Sequence, residues 1–333
     1  MNMHTPLPQR PFPVLEVLDL QVAFPGSVAV KGITFAIEEG KTMALVGESG
    51  CGKSLTAFSI LRLLPPTASI SGGQVVFDGL DLATVSGRKL REIRGKGISM
   101  ILQEPMTSLN PVLTIGAQVA EVIRRHERLS RSKTRQRVLE LLDLVGIPDP
   151  QRRYDQFPHN FSGGMRQRVM IAMAVACNPR LLIADEPTTA LDVTIQAQVM
   201  ELLNRLRKQL SMAMLLITHD LGAVAQWADR VAVMYAGRIV EQASVDDFFA
   251  APKHPYSRGL LGSSVGDDAH YTRGRLTEIQ GSIVSAAGEA GCAFAPRCPQ
   301  AVPTCRTAPP ELRTFNRDVV RTGWSIACSQ VSV

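Results

Sequence analysis

The order of apolar and polar residues predicts a series of β-strands in the first part of the chain. Residues 14–17, 20–24 and 32–37 are apolar stretches of strand length, and the last is followed by a Glu-Glu-Gly-Lys turn. Residues 42–46 form a continuous apolar run, which is typical of a buried strand. A glycine-rich stretch comes next, and residues 55–61 then have helical potential.

The rest of the pattern predicts helices and then an alternation of strands and helices. Val138, Leu141, Leu142 and Val145 have the spacing of one helix face, within a helical region near residues 113–145. The later alternation indicates an α/β fold with a mostly parallel sheet. Its predicted segments are residues 181–184, 196–210, 214–218, 221–227 and 231–235. After about residue 250 the pattern fades, and proline, glycine, serine and cysteine increase.

Length and charge limit the classes of protein to consider. A chain of 333 residues can form more than one domain, and its net charge is +6. Arginines are densest between residues 124 and 137, where we favour a solvated helix face over a nucleic-acid surface because no aromatic residues interleave with them. No apolar run approaches the roughly 18 residues of a membrane span. Residues 1–13 are proline-rich and lack the apolar stretch of a signal peptide, so we expect none. We therefore expect a cytosolic protein.

The glycine-rich stretch fits the phosphate-loop pattern G-x-x-x-x-G-K-[ST]. Backbone N–H groups of such a loop face phosphate oxygens, its lysine balances their charge, and its hydroxyl binds Mg²⁺. The predicted strand before it and the predicted helix after it argue against a chance glycine turn. The predicted nucleotide-binding residues are Gly47, Glu48, Ser49, Gly50, Cys51, Gly52, Lys53, Ser54 and Leu55.

An acidic pair completes the prediction of a nucleotide hydrolase. Asp185 and Glu186 follow the apolar run 181–184. In this position the first carboxylate is suited to hold Mg²⁺, and the second to orient an attacking water. The two motifs together predict hydrolysis of a nucleotide.

Four further motifs give the chain a resemblance to the ATP-binding-cassette (ABC) ATPases. Ser162, Gly163 and Gly164 resemble the LSGGQ signature just upstream of the acidic strand, although Phe161 and Met165 depart from it. Gln103 matches the Q-loop, residues 190–192 match the D-loop, and His219 matches the switch histidine. The resemblance implies a P-loop NTPase core with antiparallel β and α-helical subdomains. It places a cassette at about residues 14–250, with its helical subdomain at about 85–165, after a tail of residues 1–13.

The resemblance also implies roles for single residues. Lys53 would hold the β- and γ-phosphates, Ser54 and Gln103 would ligate Mg²⁺, and Asp185 would act on Mg²⁺ through water. Glu186 would polarise the attacking water, and His219 would contact the γ-phosphate. ATP would lie between one cassette's phosphate loop and the Ser162, Gly163, Gly164 and Asp192 side of another. Phe24 is the candidate for stacking on adenine, whereas Phe12, Phe24 and Phe35 could all be plain core residues.

The end of the chain narrows the resemblance. Residues 254–261, His-Pro-Tyr-Ser-Arg-Gly-Leu-Leu, look like the segment appended to ATPases of oligopeptide and dipeptide importers, and the chain is similar to their dipeptide-importer D subunits. Nickel, opine and glutathione importers share this architecture. The implied partners are a paralogous ATPase, two membrane permeases and an external substrate-binding protein, with the chain peripheral on the cytoplasmic face of the membrane. A soluble ABC ATPase acting on nucleic acid or ribosomes is the alternative.

Four of the six cysteines lie in the last 42 residues: Cys292, Cys298, Cys305 and Cys328. The other two, Cys51 and Cys177, read as packing residues. The close Cys-x₂₋₄-Cys pairs of most zinc sites are absent from the sequence. The set resembles the ligands of a [4Fe–4S] cluster in some members of the peptide-importer family, while zinc and free thiols remain alternatives. We expect residues 251–333 to form a small module whose core is separate from that of the phosphate loop.

Overall fold

The computed structural model describes residues 13–103, 108–189, 191–263, 279–283, 289–315 and 323–331. The strands are β1 Leu15–Phe24, β2 Ser27–Ile37, β3 Thr42–Val46, β4 Ser69–Phe77, β5 Leu80–Asp81, β6 Ile98–Ile101, β7 Leu181–Asp185, β8 Ala213–Ile217, β9 Arg230–Tyr235, β10 Arg238–Ser244, β11 Arg313–Phe315 and β12 Trp324–Ile326. The helices are α1 Lys53–Ile60, α2 Gly87–Ile93, α3 Ile115–His126, α4 Arg131–Leu144, α5 Pro150–Arg153, α6 Gly163–Val175, α7 Val193–Gln209, α8 Leu221–Trp227, α9 Val245–Ala250 and α10 Pro255–Ser263.

The larger sheet has eight strands in the order β11-β12-β10-β9-β3-β8-β7-β6. The five strands from β9 to β6 are parallel to one another, and the pairings of β10, β11 and β12 are antiparallel. Every residue of β3, β7 and β8 is buried. Strands covered on both faces need apolar residues throughout, which explains the uninterrupted apolar runs of the sequence. The α/β prediction is confirmed.

A second, antiparallel sheet has the strand order β2-β1-β4-β5. The two short strands expected at residues 14–17 and 20–24 form one strand, β1. Its register shifts against β2 between Val17 and Leu20, and against β4 between Leu18 and Gln21. Asp19 lies at this irregularity with a φ of 47°. A local bulge therefore interrupts the apolar alternation without ending the strand.

Hydrophobic cores cover both faces of the larger sheet. Leu182 and Leu216 point to the core beneath α3, α4, α6 and α7. Leu181 and Leu215 point the other way, to the core shared with α1 and the antiparallel sheet. Alternate residues of one strand thus enter different cores.

The helical region expected near residues 113–145 contains two helices, α3 and α4, with a break at residues 127–130. The hydroxyl of Ser130 accepts the backbone N–H of Lys133 and caps the second helix. Gly146, with a φ of 75°, follows the end of α4, where a left-handed residue satisfies the last helical carbonyl groups.

The last part of the chain adds strands to the larger sheet. Strand β12 pairs with β10, and β11 pairs with β12. Tyr256 and Phe294 lie in one buried cluster with Val46 and Tyr235, from strands that flank the phosphate loop. In the described part of residues 251–333, the expectation of a separate core is not met, because these residues include few apolar side chains and share the core of β3, β9 and β10.

A buried carboxylate attaches the C-terminal part of the chain, residues 251–333 (the tail), to β10. Glu241 is fully buried, and its two oxygens accept the backbone N–H groups of Lys253 and His254 and the indole N–H of Trp324, at 2.8–2.9 Å. Burial lowers the pKa of His254 to about 4, so its ring is neutral at physiological pH. Its Nδ1 accepts the backbone N–H of Tyr256 at 3.1 Å. These bonds fix the start of α10 against the sheet.

No helix in the described ranges combines the length and the apolar composition that crossing a bilayer requires.

Replacing Glu241 by Gln tests this attachment. The amide has one acceptor oxygen, so its NH₂ group must face a buried N–H donor, and we expect the free energy of unfolding to fall by about 1–3 kcal/mol. Chemical denaturation measures it. The matched control is Glu39→Gln, since Glu39 is exposed and 3.6 Å from Arg180, a pair worth roughly 0–1 kcal/mol. Equal effects of the two changes would contradict the role given to Glu241.

Candidate functional site

The phosphate loop joins β3 to α1 at the carboxyl edge of the larger sheet. Gly47, Gly50 and Gly52 have φ values of 147°, 81° and 108°, which favour glycine. A Cβ at Gly47 would collide with the carbonyl oxygen of Met234 in β9. The loop therefore lies directly on the neighbouring strand, and its N–H groups lie at the N-terminus of α1 as an anion site requires.

Lys53 begins α1 and is buried under this loop. Its Nζ donates to the carbonyl oxygens of Gly47 and Glu48, at 2.8 and 3.1 Å. The ammonium group is thereby held within the loop whose phosphate ligand it is predicted to neutralise. Cys51 is buried beside it, in keeping with a packing role.

Ser54 and Asp185 meet across the edge of the sheet. The Ser54 hydroxyl donates to Asp185 Oδ1 at 3.2 Å. Burial raises the pKa of Asp185, and the nearby charge of Glu186 raises it further, whereas the Ser54 hydrogen bond and Lys53 oppose the shift. A hydroxyl and a carboxylate in contact at the mouth of a phosphate loop form a suitable Mg²⁺ site.

Glu186 is the centre of a second group of contacts. Its Oε2 accepts the amide N–H of Gln103 at 2.7 Å and the hydroxyl of Thr189 at 2.9 Å. Its Oε1 lies 3.6 Å from Nδ1 of His219. Gln103, Glu186 and His219 follow β6, β7 and β8, and parallel strands end at one edge. Sequence analysis predicted these three residues. It did not predict Thr189, which the sequence marks only by its position three residues after Glu186.

The signature segment forms the N-terminus of α6. The exposed Ser162 is its N-cap, with Oγ accepting the N–H of Met165 at 3.4 Å. Gly163 and Gly164 approach Leu191 and Ile195, around the start of α7. The signature segment therefore contacts the D-loop side of its own chain. None of its described contacts is with the phosphate loop of the same chain.

Other candidates have simpler roles in the structure. Phe161 is buried in the helical core, which explains why a larger apolar residue is accepted at this signature position. Asp192 caps α7 by accepting the N–H of Ile195 at 3.0 Å. Phe35 is a buried core residue, and Phe24 is half-buried at the end of β1. Phe12 and Ala190 lie outside the described residues.

The four tail cysteines line one small cavity together with His254 and Phe294. Burial raises the pKa of the Cys292 and Cys298 thiols, and the charges of neighbouring tail cysteines raise it further. Within the described part of the chain, no three His, Cys, Asp or Glu side chains are arranged to hold a metal ion. The soft thiol donors suit iron–sulfur chemistry, but this arrangement of them does not support the expected cluster.

Two tail residues that the sequence did not assign to the nucleotide site contact the phosphate loop. The Tyr256 hydroxyl accepts the backbone N–H of Glu48 at 2.9 Å, and Arg297 Nη1 donates to Glu48 Oε2 at 2.9 Å. Both residues lie more than 200 positions after the loop. No local pattern could have paired them with it.

Known sequence families match two parts of the chain. The family described as "ABC transporter" matches residues 30–189, and the one described as "Oligopeptide/dipeptide transporter, C-terminal region" matches residues 240–305. The second match overlaps the segment that carries His254 and three of the tail cysteines.

Individual relatives agree over nearly the whole chain. The chain is 52% identical over 321 residues to the probable peptide ABC transporter ATP-binding protein y4tR of Sinorhizobium fredii, which covers 95% of this chain and 94% of that protein. It is 51% identical to the dipeptide transport ATP-binding protein DppD of Bacillus subtilis, with 88% of each covered.

Solved structures share the cassette fold. A dimeric, post-hydrolysis structure of the ATP-binding cassette MJ0796 with ADP and Pi is 26% identical, with a TM-score of 0.61, covering 69% of this chain and 98% of that one. CbiO1 of Clostridium perfringens, part of the transporter complex cbiONQ, is 30% identical, with a TM-score of 0.62, covering 72% and 91%. These likenesses agree with the geometry of the phosphate loop and the acidic strand. The chain is an ATPase and belongs to the family of ABC transporter ATP-binding proteins that carry the oligopeptide/dipeptide transporter C-terminal region.

Proposed function

We propose that this ATPase drives the import of dipeptides or oligopeptides. The observation that carries the ATPase part is the meeting of Gln103, Glu186 and His219 beside the Ser54–Asp185 pair. The peptide class is supported by the matching C-terminal region and by relatives named for peptide and dipeptide transport. Two permeases, a second ATPase and an external binding protein would complete the importer. The permeases would hold this chain at the cytoplasmic face of the membrane.

In the proposed reaction, loop residues 47–55, Lys53 among them, hold the phosphates of ATP, and Phe24 stacks on its adenine. Mg²⁺ would bind Ser54 and Gln103 directly and Asp185 through water, and it would neutralise charge on the β- and γ-phosphates. Glu186 then accepts a hydrogen bond from the attacking water and orients it. His219 contacts the γ-phosphate as the bond to the leaving phosphate oxygen breaks.

ATP is proposed to bind between two cassettes, with Ser162, Gly163, Gly164 and Asp192 of one facing the phosphate loop of the other. The exposure of Ser162 at a helix N-terminus supports this, since its N–H groups are suited to an anion brought by a partner. The partner is a paralogous subunit or a second copy. Closing the sandwich would transmit the energy of ATP to the permeases.

The tail cavity is proposed to bind a [4Fe–4S] cluster through Cys292, Cys298, Cys305 and Cys328. The proposal rests on the four sulfur donors that line one cavity. Because no three of them are arranged to hold a metal ion in the described part of the chain, binding would require the thiols to move closer and release protons. The cluster would contribute stability to a segment with few apolar residues. Zinc and free thiols are the alternatives.

Changing Glu186 to Gln tests the catalytic role. The amide retains the shape and an acceptor oxygen for Gln103, but it polarises water poorly, so we expect hydrolysis to fall about 10²–10⁴-fold while ATP still binds. Phosphate release measures the rate, and nucleotide titration the affinity. The control is Glu201→Gln, at an exposed position of α7. Near-normal hydrolysis in the Glu186 variant would refute the assignment.

Changing Ser162 to Arg tests the sandwich. We expect cooperative hydrolysis and transport to be lost while ATP binding by the isolated chain is retained, whereas Lys53→Ala should abolish that binding. Ser130→Arg is a matched control, because Ser130 also caps an exposed helix N-terminus, and it should cost only about 1 kcal/mol of stability. Loss of ATP affinity in the Ser162 variant as severe as in the Lys53 variant would contradict the sandwich.

Anaerobic purification tests the cluster. The protein should be brown and contain about four iron atoms per chain. Cys298→Ser should remove the colour, and Cys177→Ser is the control outside the tail cavity. A colourless protein with one tightly bound zinc ion, or a metal-free protein of unchanged stability, would refute the iron–sulfur proposal.

A further inference from the structure

The phosphate loop is held from the side by the tail of the chain. Glu48, the second residue of the loop, is contacted twice: its N–H by the Tyr256 hydroxyl and its carboxylate by the Arg297 guanidinium, both at 2.9 Å. One contact fixes the backbone and the other the side chain. Both come from residues outside the nucleotide-binding motifs.

Arg297 is itself firmly placed. Its side chain is 4% exposed, and it ends a short 3₁₀ helix, Ala295–Arg297. The guanidinium also donates to the carbonyl oxygens of Ile279 and Gln280 and to the hydroxyl of Tyr235, at 2.8–3.3 Å. A guanidinium with this many partners offers Glu48 a fixed position.

Tyr256 is fixed by aromatic packing. It is fully buried, and its ring lies 4.7 Å from that of Tyr235 and 5.3 Å from that of Phe294, centroid to centroid. The hydroxyl therefore reaches Glu48 from a rigid cluster, in which rotation of the ring would require the neighbouring rings to move.

A glycine-rich loop gains from such contacts. Gly47, Gly50 and Gly52 allow the loop to follow the phosphates closely, but they also allow other conformations. Ordering a loop when a ligand binds lowers the affinity, and contacts that order it beforehand raise the affinity. The hydrogen bond from Tyr256 restrains the backbone at the start of the loop.

The ion pair has a second effect. Glu48 places a carboxylate in a loop that receives a polyanion, and like charges at close range weaken binding. Arg297 pairs with this carboxylate, whereas Lys53 Nζ binds the Gly47 and Glu48 carbonyl oxygens.

We propose that Tyr256 and Arg297 are positioning residues for ATP: the tail orders the phosphate loop through Glu48 and thereby raises the affinity for nucleotide. This inference rests on the proposed binding of ATP at Lys53. It gives the tail a part in the ATPase reaction besides the attachment of α10 and β12 to the sheet.

A pair of tyrosine variants separates positioning from packing. Tyr256→Phe removes the hydroxyl that binds Glu48, and Tyr154→Phe makes the same change on a half-buried ring packed against the helical core. We expect the Kd for a fluorescent ATP analogue with Mg²⁺ to rise about tenfold in the first, the effect of one lost hydrogen bond with a buried partner. The second should stay within about twofold of wild type, since both contacts to Glu48 remain.

Thermal unfolding and steady-state kinetics are measured on the same full-length proteins. A positioning role raises KM for ATP and leaves kcat at saturating ATP within about twofold, because Glu186 and His219 are untouched. Equal rises in Kd for the two tyrosine variants, in proportion to their losses in Tm, would show a packing effect and overturn the proposal. So would a Kd unchanged in Tyr256→Phe.

A double-mutant cycle tests the ion pair. Arg297→Gln should raise the Kd about tenfold, because it leaves the Glu48 carboxylate unpaired beside the phosphates. Adding Glu48→Gln removes that charge and should restore the affinity to within about threefold of wild type. Arg306→Gln is the control, since Arg306 pairs with Glu289 inside the tail at 3.2 Å. Additive losses in the double variant would overturn the role of the pair.

Measurements on the wild-type protein distinguish failure of the proposed ATPase function from failure of the positioning role. If it neither binds nor hydrolyses ATP, the proposed function fails. If it does both and the Tyr256 and Arg297 variants match it, only the positioning role fails.

Discussion

The common ending of the parallel strands is the constraint on which the site depends. β6, β7, β8 and β3 pair in parallel, so the residues that follow them meet at one edge of the sheet. Gln103, Glu186 and His219 gather there from positions up to 116 residues apart, beside the phosphate loop after β3. A one-residue slip of β7 would turn Asp185 away from Ser54, since alternate residues of a strand face opposite sides. Strands buried on both faces make such a slip costly.

The tail is bound to this edge by both polar and apolar contacts. Glu241 satisfies three N–H donors of the tail, and Tyr256 and Phe294 extend the core next to Val46. Val46 directly precedes the phosphate loop and packs in the same core as Tyr256 and Phe294. A change in the packing of the tail therefore changes the support of the nucleotide site. Phe294 belongs to this aromatic cluster and also lines the tail cavity. Any ligand of that cavity would therefore bind next to the cluster.

The sequence predicted those features whose causes are local. Buried strands have uninterrupted apolar runs, and the phosphate loop and acidic pair require particular residues at fixed spacing. The bulge at Asp19 was missed because it splits one strand's alternation into two. The contacts of Tyr256, Arg297 and Thr189 depend on tertiary packing, and the shared core of the tail could not be read from a segment with irregular patterning. The roles of Phe24 and of Ser162 depend on nucleotide and a second cassette, so they remain predictions.

ATP and Mg²⁺ are proposed to bind where these strands end. Determining the structure of the Glu186→Gln chain with both ligands tests it most directly. We expect the triphosphate on the N–H groups of residues 49–54, with Lys53 at its β- and γ-phosphates and Mg²⁺ on the Ser54 hydroxyl. Glu48 should keep its hydrogen bonds to Tyr256 and Arg297. A triphosphate bound away from this loop, or a metal ion remote from both Ser54 and Asp185, would contradict it.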